Sequence, residues 1–303
     1  PVTATLTFSQ TLTPLTLQLP ATEPTPILPT PHSLLPTPYS LLSTPQLPIT
    51  LRWQTRRWMA DPLVIALKLL DKDFNVGGER VATLGDRYPN VLWVPGEMVE
   101  ETYPLRLKPD APPGLYRLEV SLLRQDKSLP DGYEVLPPMD ETGPLGNALY
   151  PVTIRLLDPA HAMAPAKPFK AHLGEAIELT GFEVNPNFSD SPKTVSLALY
   201  WQSTAKIDTD YTVFTQLIGP DGQVWAQWDN PPQAGRYPTT AWSEQDRVVD
   251  RYQLTLRDGA PPGDYRLLIG MYDPASGERL PVVVDGQPQP DNAVELATLA
   301  LTP

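Results

Sequence analysis

The 303-residue sequence contains no cysteine and only three histidines. The missing thiols exclude a disulfide framework, zinc sites with cysteine ligands and thiol catalysis. His32, His161 and His172 lie outside the strands and loops that recur along the chain, so no scaffold is expected to hold them beside a nucleophile and a carboxylate. The sequence therefore predicts no catalytic residue and no cofactor, and argues against an enzyme.

Basic residues and long apolar runs are also scarce. The 23 lysines and arginines compare with 35 aspartates and glutamates, and the formal net charge is −12. Binding to phosphate backbones or to anionic lipid needs clustered basic residues, so nucleic acid is excluded as a partner. No apolar run reaches the roughly 18 residues that span a bilayer, which predicts no transmembrane segment in this chain. No signal peptide or anchor is visible either.

Proline, by contrast, is abundant, with 39 residues. Proline cannot donate to a sheet ladder and breaks the interior of helices. This density leaves room for short strands and many turns and little room for helices. The length suits two domains of about 100–150 residues, each able to bury a core without disulfides or metals.

Residues 1–48 differ from the rest of the chain, with eleven prolines, eleven threonines and one charged residue, Glu23. Apolar side chains alternate with polar ones on both sides of Pro14, a pattern that predicts strands. These strands either complete the first domain or pair with a neighbouring chain. In the second case the candidate subunit contacts are Val2, Leu6, Phe8, Leu15 and Leu17. The following tract has a period of seven and favours extended polyproline geometry, as a linker, an O-glycosylated stalk or a docking arm.

The remainder contains an internal repeat whose two copies are offset by 148–149 residues. The matched pairs are Leu51-Arg52-Trp53-Gln54 with Leu199-Tyr200-Trp201-Gln202, Tyr88-Pro89 with Tyr237-Pro238, Trp93 with Trp242, Tyr103 with Tyr252, and Ala111-Pro112-Pro113-Gly114 with Ala260-Pro261-Pro262-Gly263. Order and spacing hold over about 100 residues, which indicates a duplication.

Each copy shows short alternating segments rich in β-branched and aromatic residues, separated by turn residues. This predicts an all-β protein made of two tandem Ig-like or fibronectin-type antiparallel β-sandwiches. The predicted boundaries are 1–48 for the strand arm and Pro/Thr-rich segment, 49–158 for the first sandwich (with 1–20 as its possible completion), 159–168 for a linker and 169–303 for the second sandwich.

Acidic clusters give no convincing metal or catalytic site. Residues 71–78 start like a calcium-binding EF-hand loop, but Val76 stands where that loop needs glycine and Ala82 where it needs glutamate. A turn without metal is therefore predicted. Carboxylates also cluster after the repeated tryptophan, and pairs of them can hydrolyse glycosides, but a solvated turn explains them without catalysis. These are Glu97, Glu100, Glu101, Glu244 and Asp246.

Two sets of aromatic residues are expected to differ in role. Those repeated at strand positions are expected in the core: Trp53, Trp201, Tyr116 and Tyr265. Those in or near the loop that contains Tyr-Pro are candidate ligand-binding residues that stack on sugar faces: Trp93, Trp242, Tyr237 and Trp228. The alternative for the second set is a loop folded over the edge of the core.

The second copy also resembles a known module, on Leu199-Tyr200-Trp201, Gly235 to Trp242, Pro261 to Leu267 and Gly270 to Pro274. It is similar to the C-terminal extracytoplasmic domain of membrane glycosyltransferases of the protein-mannosyltransferase type found in Chloroflexota. The resemblance covers about 120 residues well and the first copy more weakly. It implies an Ig-like sandwich outside the cytoplasmic membrane and no catalytic residue, because that family's chemistry lies in its membrane part.

The sequence thus favours a non-catalytic extracellular or cell-surface protein that recognises glycans or a protein partner. The alternative is a subunit of an extracellular filament or surface layer, assembled from identical subunits by strand addition through the N-terminal arm.

Overall fold

The computed structural model describes residues 2–8, 15–19, 46–55, 58–140, 143–156 and 164–302. The first two ranges and residues 139–140 are described by their backbone alone. The chain divides into two compact units, unit 1 (residues 1–157) and unit 2 (residues 158–303). Within the described ranges every regular element longer than a short 3-10 turn is a β-strand, which confirms the all-β prediction. The Ig-like or fibronectin-type assignment stays a prediction.

Eleven strands are described in unit 1. They are β1 (Val2–Phe8), β2 (Leu15–Leu19), β3 (Gln46–Gln54), β4 (Leu63–Leu70), β5 (Val76–Thr83), β6 (Met98–Leu107), β7 (Gly114–Gln125), β8 (Tyr133–Leu136), β9 (Pro138–Asp140), β10 (Gly143–Pro144) and β11 (Thr153–Leu156). They are hydrogen-bonded in the order β10-β9-β1-β2-β3-β6-β5-β4-β7-β11, with β8 paired to β7.

Ten strands are described in unit 2. They are β12 (Lys167–Leu173), β13 (Ile177–Asn187), β14 (Thr194–Ser203), β15 (Thr212–Ile218), β16 (Val224–Asn230), β17 (Arg247–Thr255), β18 (Gly263–Tyr272), β19 (Val282–Val284), β20 (Gln287–Pro288) and β21 (Val294–Leu301). They form one sheet in the order β17-β14-β13-β12-β19-β20 and another in the order β16-β15-β18-β21.

The two units share one strand order. Reading β10-β9-β1-β2-β3-β6 against β20-β19-β12-β13-β14-β17 matches every strand, and β5-β4-β7-β11 matches β16-β15-β18-β21. The hairpin β1–β2 therefore occupies in unit 1 the position that β12–β13 occupies in unit 2. The sheets differ at one seam, because β5 pairs with β6 at Gly78 and Leu107 in unit 1, whereas β16 and β17 lie in separate sheets of unit 2.

The alternating N-terminal segment thus pairs with its own unit: β1 bonds to β2 and β9, and β2 bonds to β3 at Thr16 and Arg52. This pairing agrees with the interpretation in which the segment completes the first domain. The side chains proposed as subunit contacts, from Val2 to Leu17, and the tract at 20–45 lie outside the described residues. Two predicted boundaries differ from the strand ends, since β3 begins at Gln46 and β12 begins at Lys167.

Alternation along the strands builds the core of each unit. In β3 the buried residues include Leu51 and Trp53, and in β14 they include Leu199 and Trp201. Tyr116 and Tyr265 are also buried, so all four aromatic residues predicted to lie in the core do so.

The turn before β7 recurs before β18. Gly114 and Gly263 have φ of +142° and +141°, a backbone conformation that residues with a Cβ rarely adopt. The tyrosine two residues later then donates its hydroxyl back to a proline carbonyl, Tyr116 to Pro112 at 2.7 Å and Tyr265 to Pro261 at 2.8 Å. This tyrosine-corner hydrogen bond ties the strand to the turn that precedes it.

Candidate functional site

Three of the four aromatic residues predicted to bind ligand are buried instead. Trp93 is 1% exposed, Trp242 2% and Tyr237 1%. Each indole nitrogen donates to the carbonyl of the tyrosine five residues earlier, Trp93 to Tyr88 at 2.8 Å and Trp242 to Tyr237 at 3.0 Å. The expectation that these rings face a ligand is therefore wrong. The alternative interpretation holds, because the loop folds its rings over the edge of the core.

The acidic residues after these tryptophans fasten the same loop. Tyr88 donates its hydroxyl to Glu97 at 3.2 Å, and Tyr237 donates to Asp246 in the same way. Each carboxylate also accepts a backbone N–H three residues earlier, from Val94 and from Ser243. These carboxylates fix a loop and do not form an exposed acid–base pair.

A second acidic position, two residues before a buried tyrosine, also recurs. Glu101 accepts the N–H groups of Gly85 and Asp86 at 2.9 and 2.8 Å, and Tyr103 donates its hydroxyl to it. Asp250 in unit 2 accepts the N–H of Gln233 at 2.9 Å and the hydroxyl of Tyr252 at 2.5 Å. Each carboxylate therefore anchors the loop that leads to the buried tryptophan.

Burial dominates the electrostatics of this anchor in unit 2. Asp250 is 2% exposed, and desolvation raises the pKa of its carboxyl to about 6. Hydrogen bonds from Tyr252 and from backbone N–H groups oppose that rise. Desolvation and the neighbouring Asp250 charge also raise the pKa of Tyr252 well above its ordinary value. The pair has a structural role, because Asp250 bonds both to Tyr252 and to the loop backbone at Gln233.

The other acidic candidates also have plain partners. Asp71 accepts the N–H groups of Asp73 and Asn75 at 2.9 and 2.8 Å, which is the geometry of an Asx turn. Glu100 forms an ion pair with Arg52 at 2.7 Å, and Glu244 is exposed. Among the described residues no group of three or more His, Asp or Glu side chains is arranged to hold a metal ion. No helix in the same ranges is long and apolar enough to cross a membrane.

Trp228, the fourth predicted aromatic residue, is different. It lies on β16, is 43% exposed, and is the only large hydrophobic side chain exposed among the described residues of unit 2. It lines a groove of about 290 Å³. The other residues that line this "Trp228 groove" come from three adjacent strands: Glu183 and Asn185 from β13, Ser196, Leu197 and Ala198 from β14, and Arg251, Tyr252 and Gln253 from β17.

Strand register explains why these side chains meet. Glu183, Ala198 and Arg251 stand opposite one another across β13, β14 and β17, and Asn185, Ser196 and Gln253 form the next row. Residues opposite one another in a sheet project from the same face. The small side chain of Ala198 keeps the centre of the floor low. Ser196 and Gln253 are hydrogen-bonded to each other at 2.8 Å, which holds the amide in place.

At the matching positions of β3 and β6 in unit 1, polar side chains bond to one another. The counterparts of Ala198 and Arg251 are Thr50 and Thr102, whose hydroxyls are 2.8 Å apart. In the row that matches Tyr200 and Val249 of unit 2, Arg52 reaches Glu100 through both Nε and a terminal nitrogen, at 3.1 and 2.7 Å.

Sequence reasoning identified Trp228 but not the polar partners on β13, β14 and β17. Asn185 and Glu183 lie on a strand that the alternation pattern did not reveal. The internal repeat carried a usable signal, because Thr50 and Thr102 change to Ala198 and Arg251 between the two copies. A polar pair that becomes a small residue and a long cation points to a remodelled surface.

Comparison with protein-family models and with curated proteins found no match to this chain. The resemblance to the extracytoplasmic domains of membrane glycosyltransferases stays a prediction.

Proposed function

We propose that the chain is a non-catalytic extracellular binding protein whose second unit recognises glycans in the Trp228 groove. The observation that carries this proposal is Trp228 itself, an exposed indole set among planar polar side chains. The resemblance to extracytoplasmic domains supports the location outside the cell.

The chemistry of the groove suits a sugar. The apolar C–H face of a sugar ring packs against an indole, while its hydroxyls need donors and acceptors around the rim. Asn185 and Gln253 supply amides, Ser196 a hydroxyl, and Arg251 and Glu183 a cation and an anion, all lining the groove. The acidic chain as a whole disfavours polyanionic ligands.

A microarray of bacterial and plant glycans, probed with the full chain, tests the proposal. We expect binding to at least one class of glycan that Trp228→Ala abolishes. Trp58→Ala is the matched control, because Trp58 is 62% exposed but lies in unit 1. An array with no bound glycan, or binding that survives Trp228→Ala but not Trp58→Ala, would overturn the assignment.

A second candidate, favoured by a separate observation, is a subunit of an extracellular filament or surface layer. The hairpin β1–β2 is joined to β3 by residues 20–45, whereas the equivalent hairpin in unit 2 is joined to β14 by residues 188–193. Fully extended, 26 residues reach up to about 90 Å. That length permits the hairpin of one molecule to complete unit 1 of its neighbour, a form of strand exchange.

Shortening this connection tests the exchange without removing a strand. In the variant, residues 20–45 are replaced by the six residues of the 188–193 loop. We expect wild-type protein to form assemblies in electron micrographs and the variant to remain monomeric with unit 1 folded. Deleting residues 1–47 should also abolish assembly. Assemblies that persist in the shortened variant would rule out exchange of the hairpin.

A further inference from the structure

The sheet face that carries the Trp228 groove continues past it. The next two rows across β14 and β17 are Tyr200 opposite Val249 and Gln202 opposite Arg247. These four residues line a second depression of about 210 Å³, together with Thr180, Ala164 and Pro165. Trp201 and Val248, which alternate with these residues along β14 and β17, also line it. The Trp228 groove and this "Gln202 depression" therefore follow one another along the same strands.

Tyr200 stands between the two depressions and is held in place. Its hydroxyl donates to Glu183 at 2.6 Å, and its carbonyl accepts the hydroxyl of Thr180 at 3.0 Å. Tyr200, Ala198 and Val249 are buried together as a small apolar cluster on this face. The hydrogen bond to Glu183 and the packing in this cluster therefore hold the Tyr200 ring in one position, next to both depressions.

Polar groups in the Gln202 depression are also oriented in advance. The side-chain amide nitrogen of Gln202 donates to the side-chain oxygen of Gln245 at 2.7 Å. This bond also fixes the direction of the Gln202 carbonyl oxygen. Side chains fixed before binding lose less conformational entropy when a ligand arrives. From Ser196 to Gln202 the face extends about 20 Å along β14, at roughly 3.3 Å per residue.

Unit 1 provides an internal reference for this face. Its counterparts of Tyr200 and Val249 are Arg52 and Glu100, the ion pair described above. Unit 1 therefore carries an ion pair where unit 2 carries Tyr200 and Val249. The difference lies in these residues and not in the strand order that the two units share.

We infer that the Trp228 groove and the Gln202 depression form one cleft that binds a linear, neutral oligosaccharide of several sugar rings along β14. This inference rests on the proposed function and adds the length and class of the ligand. Trp228 stacks on one ring, Tyr200 supports the middle of the chain, and Gln202 and Arg247 contact a distal ring.

Calorimetric titration of the full chain with cello-, xylo- and manno-oligosaccharides, from monosaccharide to hexasaccharide, tests the cleft. In at least one series we expect the dissociation constant to fall about tenfold or more between disaccharide and hexasaccharide, equivalent to about 1.4 kcal/mol. The double substitution Gln202→Ala/Arg247→Ala should remove this gain and leave disaccharide binding unchanged. Gln54→Ala, at the position in unit 1 that matches Gln202, is the control and should change neither.

The outcomes separate the two proposals. Binding that depends on Trp228 but not on chain length, or that the double substitution leaves unchanged, overturns the extended cleft and leaves the proposed glycan site in place. If none of the three series binds, the inference falls, whereas the proposed function falls only if the glycan array is also blank.

Discussion

Units 1 and 2 share a strand order and differ in what they place on one face of that frame. The buried positions repeat closely: a tyrosine corner at Tyr116 and Tyr265, and an indole bonded to a tyrosine carbonyl at Trp93 and Trp242. The residues on the outer face of β3 and β6 do not repeat on β14 and β17. Packing in the core therefore constrains the duplicated frame, while the rows on the outer face have been free to acquire a separate role in unit 2.

The largest expected effects test the shared part of the frame. Trp93→Ala and Trp242→Ala each remove a fully buried ring and its hydrogen bond, and each should cost its unit about 3–5 kcal/mol of unfolding free energy. Calorimetric unfolding of each variant measures the cost. If either variant kept its stability and lost only ligand binding, the ring would belong to a binding site and the equivalence of the two loops would fail.

The buried carboxyl of Asp250 predicts that the stability of unit 2 depends on pH. Burial raises the folded-state pKa of Asp250 from 3.8 to about 6, so the folded protein keeps a proton at pH values where the unfolded chain has already lost it. This contribution to stability is fully present below about pH 4 and is lost as pH rises through about 6, and amounts to about 3 kcal/mol. Urea unfolding between pH 4 and 7 measures the loss.

Asp250→Asn should remove that pH-dependent component. The matched control is Asp258→Asn, at an exposed position on the same unit, and it should leave the pH dependence intact. An unchanged profile in Asp250→Asn would mean that another group produces the pH dependence.

The tyrosine corners should give a smaller and equal effect in the two units. Tyr116→Phe and Tyr265→Phe each delete one hydrogen bond to a proline carbonyl and should lower the unfolding free energy by about 1–2 kcal/mol. Chemical denaturation of the two variants gives the values. A loss confined to one variant would show that the corners are not equivalent.

The surface rows should give the smallest effect. The Arg52–Glu100 pair is partly exposed, with side chains 32% and 54% accessible, so a double-mutant cycle should assign it less than about 1 kcal/mol. A much larger coupling would mean that the ion pair stabilises unit 1 in a way that Tyr200 and Val249 must replace in unit 2.

Much of the frame could be predicted from the sequence, because alternation and turn residues report burial directly. Short alternating segments separated by turn residues are what each copy predicts; Leu63–Leu70 and Met98–Leu107 form β4 and β6, and the turn residues Gly219 to Gly222 join β15 to β16. The alternation pattern does not predict strand β5, because Gly77 and Gly78 interrupt it. At Gly77 the absence of a Cβ is required, since Tyr116 packs 2.3 Å from the position that a Cβ would take.

The site was harder to predict than the frame. Trp93 and Trp242 follow Tyr-Pro in irregular backbone, and sequence alone does not distinguish a loop ring that faces solvent from one that folds inward. The fold decides this, because the short 3-10 turns at Asn90–Leu92 and Thr239–Ala241 direct the indoles back to the tyrosine carbonyls. The groove depends on register between β13, β14 and β17, which no local pattern encodes.

The central claim is that the outer face of β14 and β17 binds ligand and that its counterpart in unit 1 does not. Methyl-resolved NMR of the full chain, titrated with the oligosaccharide that binds most tightly, tests it most directly. The account predicts shifts for the methyl groups of Ala198 and Val249 and none for those of Thr50 and Thr102. Shifts confined to Thr50 and Thr102, or equal shifts on both units, would contradict it.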